Sequence, residues 1–204
     1  MDLIAGLGAS AGLTDAITKI GELRKDVDGY LGQTLLRSYA YPNKFAIMGR
    51  WENIEAAWAF SASDTLASFL KGLPADASLT RTRFEGYDAV IETSDIPASP
   101  ADASFEQFAD WTLSSISKAT DYLQSRKELF ALQQTHNPGF VAARLYRSAG
   151  IPTKFLMHTI FRDRAAAQAG GAAPELREFV ASHPAPNYAN VSPSIEAYAV
   201  IHRM

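Results

Sequence analysis

The chain has no cysteine among its 204 residues, which excludes a disulfide framework, a thiol nucleophile and any cysteine-held metal or cluster. It also lacks an excess of positive charge. Nineteen Lys and Arg stand against 22 Asp and Glu, for a net charge of -3, and their scatter leaves no basic stripe for nucleic acid. No apolar run is long enough to cross a bilayer. The small, apolar stretch from Met1 to Gly12 has no basic segment before it, and the acidic Asp2 comes first, so it does not read as a secretory signal. These absences lead us to expect a cytoplasmic protein that binds neither nucleic acid nor membrane.

Several site classes are missing too. Four dispersed histidines give no metal-ligand spacing. The glycine-rich segment Gly6 to Gly12 resembles a phosphate loop only superficially. No Lys follows in the required position, and Gly12 comes one residue late for G-x-G-x-x-G. There is no G-x-S-x-G elbow of a hydrolase.

What the chain does have is an internal repeat. Shifted by 110 positions without a gap, 18 of the 63 residues from Gly29 to Ile91 are identical to their partners between Gly139 and Ile201. The pairs include Gly29/Gly139, Leu35/Leu145, Arg37-Ser38/Arg147-Ser148, Pro42/Pro152, Lys44-Phe45/Lys154-Phe155, Leu66/Leu176, Phe69/Phe179 and Ala89-Val90-Ile91/Ala199-Val200-Ile201. A period this long indicates a duplicated small domain, since solenoid repeats run from about 20 to 50 residues.

Within each repeat the spacing predicts one order of elements. In the first, a short strand over Asp2 to Ala5 precedes helical spacing from Leu13 to Val27, ended by Gly29. Tyr30 to Arg37 and Lys44 to Trp51 form a hairpin about Pro42. A helical pattern runs from Ile54, broken near Ser61 to Ser63, with Ser63 as the cap of a second segment closed by Gly72 and Pro74. Thr80 to Glu92 is the last strand. The second repeat gives a strand at Phe108 to Leu113, a helix from Ser117 to Thr135, strands Phe140 to Arg147 and Lys154 to Phe161, a helical region Arg164 to Ser182 that restarts at Pro174, and a strand Ser194 to His202.

The order strand, helix, strand, strand, helix, strand is the ferredoxin-like arrangement. The expected fold is therefore α+β, with a first ferredoxin-like repeat over 1–93, a linker over 94–104 and a second repeat over 105–204. Consecutive apolar residues such as Phe45, Ala46, Ile47 and Met48 leave no polar face on the strands, so each antiparallel sheet needs a cover. The economical cover is the other copy, packed face to face as a barrel within one chain.

These residues resemble a known family. Gly29-Tyr30 opening a strand, Arg37-Ser38, a turn proline, Lys44-Phe45 and then Arg50-Trp51-Glu52-Asn53 before an Ala-rich helix are similar to the antibiotic-biosynthesis-monooxygenase type of the dimeric α/β-barrel superfamily. In that family two separate chains usually pair to form the barrel. The second copy keeps the frame from Gly139-Phe140 to Phe161-Arg162-Asp163. Where many members carry a Glu two residues before the strand-end Trp, this chain has Gly49 and Thr159.

The resemblance implies oxygenation of a small hydrophobic aromatic substrate, such as a polyketide-like phenol or anthrone, by dioxygen without metal, flavin or other cofactor. A related cyclase or isomerase activity is the neighbouring possibility. Such chemistry needs aromatic walls, and a base or donor that favours the substrate anion. Trp51, Arg50 and His158 are the catalytic candidates: Trp51 as a stacking surface or indole donor, Arg50 on an oxyanion, and His158 as a base. Tyr39, Phe45, Tyr146 and Phe161 are the substrate-binding candidates. Positions that differ between the copies are better functional candidates than duplicated ones, which favours His158, where the first copy has Met48. The duplicated Arg37 and Arg147 read as structural. Two alternatives stand beside the oxygenase: a haem-binding barrel with His158 as axial ligand, and a non-enzymatic module for a small ligand or partner. Either a monomer or a homodimer is compatible with the internal duplication.

Overall fold

The structure is a computed structural model that describes residues 2–4, 10–71, 86–93 and 103–203. The expected helix stop at Gly72 and Pro74, the start of the strand at Thr80, and most of the linker lie outside the described residues. The first repeat contains β1 (Asp2–Ile4), α1 (Ser10–Arg24), β2 (Tyr30–Ser38), β3 (Lys44–Trp51), α2 (Ile54–Ser61), α3 (Asp64–Lys71) and β4 (Tyr87–Glu92). The second contains β5 (Phe105–Thr112), α4 (Ala119–His136), β6 (Phe140–Ser148), β7 (Lys154–Phe161), α5 (Arg164–Ala172), α6 (Pro174–Ser182) and β8 (Ser194–Arg203), with short 3₁₀ turns before α4 and after α6. The architecture is α+β, built from two tandem ferredoxin-like repeats.

Local chemistry explains the boundaries. Asn53 and Asp163 each accept the backbone N–H three residues on, at 2.9 and 2.7 Å, and so cap α2 and α5; each cap contributes about 1 kcal/mol. Ser63 receives the Leu66 N–H at 3.2 Å and starts α3. Pro174 opens α6, where its missing N–H costs nothing.

The compact units do not follow the sequence repeats. One comprises residues 1–86 with 198–204, the other 87–197. In the first unit β3 lies between β1 and β2, and β2 also pairs antiparallel with the end of β8, from Ser38↔Tyr198 to Thr34↔Arg203. In the second, β7 lies between β5 and β6, and β6 pairs antiparallel with β4, from Tyr87↔Ser148 to Glu92↔Arg144. The last strand of the first repeat thus belongs to the second unit, and the last strand of the second repeat ends in the first.

The duplicated residues hold the hairpins. Arg37 Nε donates to the Pro42 carbonyl at 2.9 Å, and Arg147 Nε donates to that of Pro152 at 2.9 Å. Their guanidinium groups lie 5.9 and 5.8 Å from the rings of Phe45 and Phe155. Ser38 and Ser148 accept the N–H of Tyr41 and Ile151. Both arginines therefore brace a turn, as their duplication suggests. At Gly29 (φ 78°) a Cβ would come 2.9 Å from the Ala56 Cβ, and at Gly139 2.1 Å from that of Ala166. Both glycines let the following helix sit against the start of its hairpin.

Each unit has its own core. In the second, Ala109, Trp111, Tyr122, Phe130, Leu145, Phe155, Leu176 and Phe179 form one cluster joining β5, β6 and β7 to α4 and α6. The first is smaller: Ile20, Phe60 and Leu66, with Trp51, Val27 and Phe69 against them. Each fully buried Leu or Phe contributes about 1.5–3 kcal/mol. Because side chains alternate along a strand, Phe155, Met157 and Phe161 face the helices, and Leu156, His158 and Ile160 face the other way.

Candidate active site

The helix-free face of the second unit carries a buried acid–base pair. His158 on β7 is 3% exposed and Glu106 on β5 is 1% exposed. His158 Nε2 lies 2.9 Å from Glu106 Oε2. The contact is diagonal, because His158 is directly opposite Phe108, two residues along from Glu106. Phe108 stacks on the imidazole at 4.4 Å and an interplanar angle of 5°. On the other flanking strand, β6, the Tyr146 ring lies 6.5 Å away at 19°. Arg144, also opposite His158, has its Nε 3.0 Å from Glu92 Oε1, so that cation already has an anion beside it.

With Glu106 ionised and the imidazole neutral, Nε2 is the donor to the carboxylate and Nδ1 presents its lone pair. Nδ1 is buried and has no hydrogen-bond partner. An imidazole held by a carboxylate on one nitrogen and bare on the other can take a proton from a ligand, and the carboxylate then balances the imidazolium.

The other predicted residues fall in several places. Tyr146 is brought to His158. Phe161 is on the same strand but on the helix side, packed with Phe105, Phe140 and Ala166. Trp51, Arg50, Tyr39 and Phe45 belong to the first unit. Trp51 is half-buried, 5.3 Å from the Tyr30 ring and 5.6 Å from that of Phe60. Arg50 follows on the opposite face, its Nη2 donating to the Leu31 carbonyl at 3.3 Å. Tyr39 is 43% exposed at the hairpin end, and Phe45 is buried beside Arg37.

Sequence reasoning missed Glu106, because starting the strand at Phe108 left Glu106 outside it. The residues from Phe105 to Trp111 contain the missing signal, a period of two in which Glu106, Phe108 and Asp110 share a face. Two buried arginines were also missed. Arg126 on α4 lies 5.0, 5.3 and 6.0 Å from the rings of Tyr122, Trp111 and Phe179, and among the described residues no carboxylate pairs with it. Burial lowers its pKa and raises that of Tyr122, whose hydroxyl, like Trp111 Nε1, is buried without a partner. Arg24 at the end of α1 is 3% exposed and donates from Nη1 to Gln33 Oε1 at 2.6 Å.

Comparison with known proteins places the chain. The family model described as antibiotic biosynthesis monooxygenase matches residues 8–72 and again 119–182, so the chain belongs to this family, twice over. Among solved structures, a Fusobacterium nucleatum protein provisionally named a monooxygenase superposes with a TM-score of 0.74 at 11% identity, over 99% of this chain and 90% of that one. An anthrone oxidase-like protein superposes with a TM-score of 0.67 at 14% identity, over 100% and 90%. A haem-degrading enzyme from Listeria monocytogenes does so at 0.52 and 12% identity, over 98% and 99%. At these identities the likeness is one of fold. No curated protein sequence matches the chain. At the level of the family, its function is of the monooxygenase type and its ligands are small molecules.

Proposed function

We propose that the chain is a cofactor-independent monooxygenase for a small aromatic substrate with an acidic C–H or phenolic O–H, and that His158 is its general base. The observation that carries this reading is the buried His158–Glu106 pair with Nδ1 unpartnered. His158 Nδ1 takes the substrate proton, and Glu106 stabilises the resulting imidazolium. The substrate anion gives one electron to dioxygen, and the radical pair combines to a peroxide. Loss of water from the peroxide leaves a carbonyl, so one oxygen atom enters the product and the other enters water. For an anthrone-type methylene the balance is R₂CH₂ + O₂ → R₂C=O + H₂O, with the substrate as the only reductant. Phe108 and Tyr146 supply aromatic surface beside the base.

Haem fits His158 poorly. Its Nε2 is held by Glu106 and its ring face is covered by Phe108.

The test is oxygen uptake with an anthrone, following the absorbance of the quinone product, in wild type and in His158→Gln, Glu106→Gln and Trp51→Phe. We expect His158→Gln to lower kcat by at least 10²-fold, the usual contribution of a positioned base, while the thermal midpoint stays within a few degrees. No uptake in wild type, or loss confined to Trp51→Phe, would overturn the assignment. A Soret band on adding haemin that is lost in His158→Gln would favour a haem protein instead.

A further inference from the structure

The first unit holds a second constellation that this chemistry does not use. Arg24 is a buried cation with no carboxylate beside it among the described residues: the nearest acidic neighbour on its helix, Glu22, is tied to Lys25 at 2.5 Å. Its Nε is buried and unpartnered. One nitrogen is held by the neutral Gln33, and the guanidinium carbon lies 4.8 Å from the Phe60 ring centroid. Burial lowers its pKa to about 10. An uncompensated buried charge is costly, and proteins rarely keep one without a partner for it.

The space beside Arg24 is specific. Gly49 is exposed on β3. A Cβ on Gly49 would sit 3.1 Å from Trp51 Nε1 and 3.7 Å from Arg24 Nη1, so two N–H donors converge where this residue has no side chain. The Tyr30 hydroxyl is buried without a partner, its ring edge is against Trp51, and burial raises its pKa, which keeps it a donor. The rings of Trp51, Tyr30 and Phe60 supply an apolar wall. In the second copy the aligned residues are Phe140 for Tyr30, Ala143 for Gln33, Thr159 for Gly49 and Phe161 for Trp51. The polar groups of Tyr30, Gln33 and Trp51 are all absent from the second copy, so the duplicated frame does not require this set.

We propose that Arg24, Trp51 and Tyr30 form a receptor, over Gly49, for a carboxylate carried on an aromatic body. The carboxylate takes the charge-assisted bonds of Arg24 and the indole N–H, and the aromatic body lies against the three rings. The site is independent of the His158 chemistry and is read by binding alone.

The probe is benzoate, with benzamide as its uncharged counterpart, at matched ionic strength. In wild type we expect benzoate, and not benzamide, to raise the thermal midpoint saturably and to change tryptophan fluorescence. Arg24→Met should weaken benzoate at least tenfold. Gly49→Glu places a carboxylate from the chain itself beside Arg24, so it should raise the midpoint without ligand and abolish the benzoate response. Gly49→Gln, of the same size but uncharged, should block benzoate without that rise. The proposal is overturned if benzoate and benzamide act alike on wild type, or if the benzoate response survives in Gly49→Glu or Arg24→Met. If Arg24→Met fails to fold, the Gly49→Glu and Gly49→Gln pair decides the matter alone.

Discussion

The two hairpins, β2–β3 and β6–β7, share a frame and differ in what they hold. At the turn they are near copies: an arginine bonded to a proline carbonyl, a serine closing the loop, a phenylalanine under the guanidinium. At the other end and on the two faces they part. The first hairpin has Gln33, Met48, Gly49 and Trp51, and with them a buried Arg24 that no carboxylate pairs with among the described residues. The second has Ala143, His158, Thr159 and Phe161, with a buried His158 that has one. The turn is needed to fold either copy, so both keep it, whereas a polar group buried in a sheet costs free energy and needs a separate reason to be there.

The comparison can be broken by giving one copy the residues of the other. The largest effect is expected for His158→Met, which installs the first copy's residue and leaves Glu106 buried without its imidazole. It should lower stability in urea by about 3–5 kcal/mol, and adding Glu106→Leu should recover most of that loss. A neutral His158→Met would mean that the two groups are not coupled. Next come the duplicated glycines. Gly139→Ala and Gly29→Ala should each cost about 1–3 kcal/mol by pushing Ala166 or Ala56 away from its hairpin, and calorimetry would show a lowered midpoint in both.

A smaller change of opposite sign is expected when Arg24→Met is combined with Gln33→Leu, which removes the buried cation together with the amide that holds it. Stability at neutral pH should rise by about 1 kcal/mol or more. The pH dependence has a definite sign. Burial holds Arg24 at about 10 in the fold, well below the ordinary arginine range, so the cost of its charge is fully present below pH 10. Above that the folded state loses the proton first, and the gap between wild type and variant should narrow. The smallest effects belong to the shared turn. Arg37→Ala and Arg147→Ala should each cost about 1 kcal/mol, equally and additively, in paired unfolding curves. Unequal costs would show that one turn carries more than its hairpin.

Much of the fold was legible because it rests on local signals. Lys44–Trp51 and Lys154–Phe161 were predicted as strands with their observed limits, Ser63 as a cap and Pro174 as a restart. The site was less legible. His158 stood out because Met48 is its counterpart, but Glu106 lies outside the aligned repeat and touches His158 across two strands. Its contact depends on register, which periodicity within one strand does not specify. Trp51 and Arg50 are adjacent in sequence, yet the pleat turns them to opposite faces.

The sequence by itself determined the family, the duplication, the order of elements and the turns, because these follow from short-range propensities and from identities between copies. Only the tertiary structure decided that β8 ends in the first unit and β4 lies in the second, and that His158 meets a carboxylate while Arg24 meets the neutral amide of Gln33. Strand partners and buried charges are set by contacts between residues far apart in the chain. Those contacts depend on which faces meet and in what register, and no local pattern encodes that.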